Sequence, residues 1–214
     1  MDTKTFGREL HEAGIVKKGH FRLQGNGKHT SIVVDKDALM SNTRLVSLLA
    51  EETALQIHTD VFRYSMGCPR VLIVGKCHTE VFGALVARQL SIGWPKGSMK
   101  NVRFITMRLS SEGVYVPSAG LNVFTSFVPQ HVLYLADEIW SIDKTSADIA
   151  TLADLGIRVN AVATAFLRPR VSEPSVFGDR VSHVVVSLYN HTELPTCDPG
   201  QDTCPLCKIN MPLD

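Results

Sequence analysis

Between residues 42 and 62 the apolar side chains Leu45, Leu48, Leu49, Leu55 and Ile57 recur at near-helical spacing, which predicts a helix with one buried face. Residues 70–75 form a short continuous apolar run ending in Gly75, and the alanines and leucines of 81–90 suit a helix, so the pair reads as strand, turn, helix. A second cycle opens with a strand at 101–107, crosses an irregular stretch at 108–129 and reaches a strand at 131–136. A turn after Asp137 and Glu138 leads to a helix at 144–155 carrying Ala147, Ile149, Ala150, Leu152 and Ala153, with Gly156 at its stop. Strands follow at 158–166 and, in a valine-rich run, at 181–188, with a proline- and glycine-containing loop at 169–178 between them. Strands alternating with helices predict an α/β fold with a mainly parallel central sheet flanked by helices.

The first 40 residues lack a single period. Gly19, Gly25 and Gly27 punctuate short polar and apolar pieces there, which suits a small N-terminal cap better than a regular layer. The expected division is a cap at 1–40, a core at 41–190 and a cysteine-containing tail at 191–214, with no internal repeat or low-complexity tract.

Composition narrows the class. At 214 residues with 44% hydrophobic and 20% charged, the chain can bury a sizeable core as one main domain. Its 22 basic and 21 acidic residues leave a formal charge of +1, and the basic residues are dispersed, so nucleic-acid binding is not expected. No apolar run approaches the roughly 18 residues of a membrane span, and the start has no secretory apolar stretch, so neither membrane insertion nor export is expected. Five cysteines, three of them in the last 18 residues, do not form a whole-protein disulfide framework. Cys68 and Cys77 flank a strand-like segment and read as small buried thiols. A reducing, cytoplasmic setting fits this usage.

In open α/β sheets ligands bind beyond the carboxyl ends of the strands, which singles out three places. The first is Gly75-Lys76-Cys77-His78-Thr79-Glu80, where Gly75 permits a tight turn and the following N–H groups can face a phosphate or pyrophosphate; a solvated loop is the plainer reading. The second is Asp137-Glu138, adjacent carboxylates that can hold a hydrated divalent ion or sugar hydroxyls, or that simply flank a helix. Beyond them Ser141, Thr145 and Ser146 offer hydroxyls and an anion nest, while Asp143 brings an opposing charge. The third is the stretch from Arg108 to Gly120 with Ser110-Ser111-Glu112-Gly113, read either as a mobile lid in which Arg108 meets pyrophosphate charge or as a surface hairpin.

These segments resemble the type I phosphoribosyltransferases, most of all the orotate branch. Gly19-His-Phe-Arg-Leu-Gln-Gly-Asn-Gly-Lys28-His29-Thr-Ser31 is similar to the family segment of glycine, aromatic, leucine, serine, glycine, Lys/Arg and His/Ser, and Lys36-Asp-Ala-Leu39 looks like its continuation. The resemblance covers about residues 10 to 190 in segment order. It implies that residues 75–79 (Gly75, Lys76, Cys77, His78, Thr79) hold pyrophosphate, that Asp137 and Glu138 contact the ribose hydroxyls of phosphoribosyl pyrophosphate, and that Ser141 to Thr145, with Lys144, wrap the 5-phosphate. The family usually has Thr-Thr-Gly-Gly-Thr or Ser at that last place, whereas this chain has Ser141-Ile142-Asp143-Lys144-Thr145, without either glycine. The orotate branch carries lysines near a His-Gly pair in its lid, where this chain has Arg108 and Ser-Ser-Glu-Gly.

The implied activity is transfer of a phosphoribosyl group to a base with loss of magnesium pyrophosphate. Asp137 and Glu138 then support the sugar, and Lys76 and Arg108 the departing anion. Mg²⁺ with phosphoribosyl pyrophosphate is the implied cofactor pair, a nucleotide, base or phosphosugar the implied small-molecule partner, and a homodimer the implied assembly. Two alternatives stay open: a noncatalytic nucleotide- or phosphosugar-binding regulatory protein, and an enzyme acting on a related sugar or nucleoside in which Asp143 recognises a hydroxyl. The cap from His20 to His29 can supply contacts to a base or other acceptor.

The tail carries a separate signal. Cys204-x-x-Cys207 can place two thiolates on one metal, and Cys197 with His191 can complete a tetrahedral Zn²⁺ site. A redox or inter-chain thiol pair and plain packing of the cysteines are the other readings.

Overall fold

In the computed structural model the chain is described over residues 3–23, 27–63, 69–76, 79–92, 102–111, 115–118, 129–190, 192–200 and 202–213. The elements run α1 (Thr3–Glu12), β1 (Val16–Arg22), β2 (His29–Val34), α2 (Lys36–Ser41), α3 (Thr43–Ile57), β3 (Val71–Lys76), α4 (Glu80–Ile92), β4 (Val102–Leu109), β5 (Tyr115–Pro117), β6 (His131–Ile139), α5 (Ile142–Asp154), β7 (Ala161–Leu167), β8 (His183–Tyr189), β9 (Thr196–Cys197) and α6 (Pro205–Lys208). A π-helical turn at His58–Phe62 extends α3.

Six strands form the main sheet in the order β5-β4-β3-β6-β7-β8, and only the β4–β5 pairing is antiparallel. The α/β reading with a mainly parallel sheet therefore holds. Its core is divided by the pleat: Val71 and Ile73 of β3 and Leu133 and Leu135 of β6 point to one face, where they meet Leu49, Ile57, Phe82 and Val86 of α3, its following turn and α4. Leu72, Val74, Val132 and Tyr134 point to the other, against Ile149 and Leu152 of α5. Period-2 alternation between two apolar faces explains why these strands read as continuous hydrophobic runs.

Gly75 lies inside β3 rather than in a turn after it, and its missing side chain has a packing reason. A Cβ there would stand 2.9 Å from the Leu135 carbonyl oxygen and 3.2 Å from the Phe104 ring. The same ring would lie 2.3 Å from a Cβ at Gly83, so two glycines admit one phenylalanine between β3 and α4. At the end of α5, Gly156 takes φ +80°, Ile157 N–H donates to Leu152 O at 2.8 Å and Gly156 N–H to Ala153 O at 2.8 Å, a Schellman closure.

Three sequence expectations change. The cap is regular: α1 buries Phe6 and Leu10, and β1 and β2 form an antiparallel pair that β9 of the tail extends to three strands. Strand β6 runs on to Ile139, past the expected end at 136, so Asp137 and Glu138 lie within the strand and the turn begins after Ile139. Helix α5 begins at Ile142, directly after Trp140 and Ser141, because Ser141 Oγ accepts from Lys144 N–H at 3.3 Å and supplies the cap.

Candidate active site

A cavity of about 540 Å³ opens at the carboxyl end of β3 and β6, lined by Lys36, Lys76, Asp137, Glu138, Trp140, Lys144, Thr145 and Asp148 among others. The acidic pair forms one wall. Lys36, the first residue of α2, reaches both carboxylates, with Nζ 3.0 Å from Glu138 Oε2 and 3.4 Å from Asp137 Oδ2. On the other side Arg168, buried just after β7, donates its Nε to Glu138 Oε1. Its Nη1 donates to Thr30 Oγ1 at 3.3 Å and to Ile32 O at 3.1 Å, so one guanidinium joins the acidic strand to β2 of the cap.

Two carboxylates and two cations make a locally neutral group, as buried charge requires. Burial pushes the Glu138 carboxyl up, but Arg168 and Lys36 outweigh it and hold it below its ordinary value. Burial likewise pushes Lys36 down, and Asp137 and Glu138 together hold it above its ordinary value. Each group keeps its charge because the other does.

The cavity floor is a second ion pair. Lys76 Nζ stands 2.9 Å from Asp148 Oδ2, and Tyr134 Oη donates to the same oxygen at 2.6 Å. Asp148 sits on the buried face of α5 with Thr145, Ile149 and Leu152. A carboxylate at helical spacing among apolar residues is the sequence signal for it. Lys36 and Arg168 were missed as well, although Arg168 obeys the strand-end rule that singled out the other places.

The remaining candidates divide. Thr79 is buried and donates to Lys76 O at 2.6 Å, while Cys77 and His78 lie outside the described residues. Thr145 lines the cavity, as does Lys144, whose Nζ lies 5.1 Å from the centroid of the Trp140 ring. Ser141 Oγ is engaged as the helix cap, and Ser146 points away, donating to Val176 O at 2.9 Å. Arg108 is exposed on β4, paired across to Val116 of β5, and is not among the cavity-lining residues. Residues 112–114, 119 and 120 of the expected lid lie outside the described ones.

In the tail, Cys204 and Cys207 converge as expected, but the histidines beside them are His20 of β1 and His29 of β2, whose ligand atoms all lie within 4.8 Å of one another and of the two sulfurs. His191 lies outside the described residues. Cys197, opposite His29 in the β2–β9 pairing, stands next to this cluster and donates its Sγ to His29 O at 3.7 Å. Burial, with the Cys204 side chain adding to it, pushes the Cys197 thiol up to about 11. His20 and His29 thus face the tail cysteines.

Neither a protein-family model nor a curated protein matches the sequence. Solved structures do match the fold. Orotate phosphoribosyltransferase of Francisella tularensis superposes with a TM-score of 0.59 at 14% identity, over 86% of this chain and 85% of that one. The Aeropyrum pernix orotate phosphoribosyltransferase gives 0.58 at 16% identity, over 86% and 93%. Adenine phosphoribosyltransferase from Saccharomyces cerevisiae gives 0.54 at 14%, over 86% and 99%. The chain has the type I phosphoribosyltransferase fold.

Proposed function

We propose that the cavity binds a phosphoribosyl ligand and that the protein transfers the phosphoribosyl group from phosphoribosyl pyrophosphate to a base, as a cytoplasmic enzyme of nucleotide metabolism. The observation that carries this reading is the placement of Asp137 and Glu138 at the carboxyl end of a central parallel strand, facing a 540 Å³ cavity that also holds Lys36, Lys76 and Lys144. In that fold, this is where a crevice ligand sits.

The chemistry is a substitution at the ribose anomeric carbon. A base nitrogen forms the new bond to C1 while the C1–O bond to pyrophosphate breaks; the electron pair leaves with pyrophosphate and the base gives up its proton to solvent. Asp137 and Glu138 accept hydrogen bonds from ribose hydroxyls and offset positive charge on the sugar, while Lys76 and Lys144 face the anionic groups. Lys36, now bound to both carboxylates, is placed to exchange that contact for a phosphate oxygen.

Carboxylate oxygens are the hard donors Mg²⁺ takes, so Asp137 and Glu138 would be the residues to hold it, once Lys36 gives up its contact with both. When bound, Mg²⁺ offsets the charge that grows on the leaving pyrophosphate.

One observation favours binding without transfer. Ser141 caps α5 and Asp143 occupies its first turn, so the backbone N–H groups that would wrap a 5-phosphate begin a helix with a carboxylate beside them. Calorimetry with magnesium and phosphoribosyl pyrophosphate separates the readings when run on the wild type and on Asp137→Asn/Glu138→Gln. Binding lost in the variant, with pyrophosphate released when bases are added, supports transfer; binding without release supports the regulatory reading. Absent wild-type binding sinks phosphoribosyl transfer and favours a different ligand or a noncatalytic role. We further propose a homodimer, which sedimentation of the purified chain tests.

A further inference from the structure

His20 Nε2 lies 3.7 Å from Cys204 Sγ, 3.6 Å from Cys207 Sγ and 2.9 Å from His29 Nδ1, and Cys207 Sγ lies 3.2 Å from His29 Nδ1. A tetrahedral Zn²⁺, with about 2.3 Å to sulfur and about 2.0–2.1 Å to nitrogen, requires roughly 3.3 Å between its two nitrogens and roughly 3.5 Å between nitrogen and sulfur. The four separations fall within about 0.4 Å of those edges. We propose that His20, His29, Cys204 and Cys207 hold one structural Zn²⁺ that fastens the N-terminal cap to the C-terminal tail.

The tautomer of His20 supports this. Its Nδ1 lies 2.7 Å from Met211 O, and a carbonyl oxygen only accepts, so in the neutral ring the proton is on Nδ1 and the Nε2 lone pair faces the two sulfurs. A ligating histidine is oriented by such a second hydrogen bond. The tail is built to deliver the sulfurs: Cys204 is the N-cap of α6, Pro205 opens the helix, and Lys208 N–H donates to Cys204 O at 3.0 Å, which turns Cys207 back toward Cys204.

Chemistry selects the metal. Two thiolates and two imidazoles suit Zn²⁺ and are poor ligands for Mg²⁺ or Ca²⁺. Four protein donors, with His20 and Cys204 buried, leave no open position for substrate, which marks a structural site rather than a catalytic one. A pair of hydrogen-bonded histidines would not by itself bring two cysteines from the far end of the chain to the same point.

The site also lies on the strand that Arg168 ties to the acidic pair. His29 begins β2, and Thr30 and Ile32 further along it receive the guanidinium of Arg168, the partner of Glu138. Zn²⁺ therefore fixes the register of the cap against the acidic strand. This holds whatever ligand the cavity takes.

The test begins with the wild-type chain purified under reducing conditions without chelator. Elemental analysis is expected to find about one zinc per chain. Exchange with Co²⁺ is expected to give intense tetrahedral d–d bands and thiolate charge transfer. Cys207→Ser and His29→Gln should each lower zinc to under about a tenth per chain, whereas Cys197→Ser should keep it. The proposal falls if reduced wild type takes up no zinc from added Zn²⁺, if Co²⁺ gives weak octahedral bands without charge transfer, or if Cys197→Ser loses the metal while His29→Gln keeps it. Should the ligand variants not fold, the wild-type Co²⁺ spectrum and zinc content decide by themselves.

Discussion

Lys36 Nζ stands 3.0 Å from Glu138 Oε2, so the first residue of α2 is tied to the end of β6, and the cap is held over the cavity by charge as well as by apolar contact. Arg168 completes the attachment from the opposite side by holding both Glu138 and β2.

Removing the cap cation exposes this. Lys36→Met leaves Asp137 and Glu138 with less compensation in a largely buried place, while the lysine itself is about one-third exposed and partly screened. The expected cost is about 1–2 kcal/mol, below that of breaking a fully buried pair. Urea unfolding of the variant reads it; an unchanged midpoint contradicts the ion-pair account.

The pH dependence follows from the same contacts. Glu138 is held below its ordinary value of 4.5, so its contribution is present above that pH and is lost as the pH falls through the lower folded value. Lys36 is held above its ordinary 10.5, so its contribution is full below that pH and is lost as the pH rises through the higher folded value. Between these limits the pair adds no slope. Glu138→Gln should therefore flatten the acid limb of a stability profile measured from pH 2 to 7, leaving the slope near neutrality unchanged.

Phe104 between Gly75 and Gly83 makes a packing prediction. A methyl group at residue 83 meets the ring at 2.3 Å, and on its other side the ring stands 3.2 Å from where a Cβ at Gly75 would be. Gly83→Ala should destabilise the protein by about 1–3 kcal/mol, more than the roughly 1 kcal/mol that helix propensity returns. Adding Phe104→Leu should recover part of the loss. A double-mutant cycle in urea reports the coupling, and additivity of the two changes would contradict the contact.

Tyr134 and Asp148 make another. The phenol donates to Asp148 Oδ2 at 2.6 Å in the core, and Tyr134→Phe removes a hydrogen bond to a charged acceptor without opening a cavity. The expected cost is about 1.5–3 kcal/mol, reduced to the extent that Lys76, 2.9 Å from the same oxygen, takes over. Thermal or urea unfolding measures it, and a neutral substitution would place the phenol's partner in solvent.

Much of the core was legible before any coordinates. Leu45, Leu49 and Ile57 share one face of α3 because helical periodicity is a local property, and the apolar runs at 70–75 and 131–136 became central parallel strands because a strand buried on both faces has no polar position to alternate with. Gly156 ended α5 by a rule that needs only its own neighbours. The acidic pair came from the same logic, since residues at the carboxyl ends of such strands face the crevice.

By itself, then, the sequence determined the layer order of helices and strands, the place of Asp137 and Glu138, and the short spacing of Cys204 and Cys207. Only the tertiary structure decided which cations neutralise the acidic pair, that Asp148 joins Lys76 on the cavity floor, and that His20 and His29 face the tail cysteines from more than 170 residues away. The reason is physical. Hydrophobic period and turn chemistry act over a few residues and leave their mark in order along the chain, whereas charge pairing and metal geometry are set by distances through space that close only when the sheets have packed.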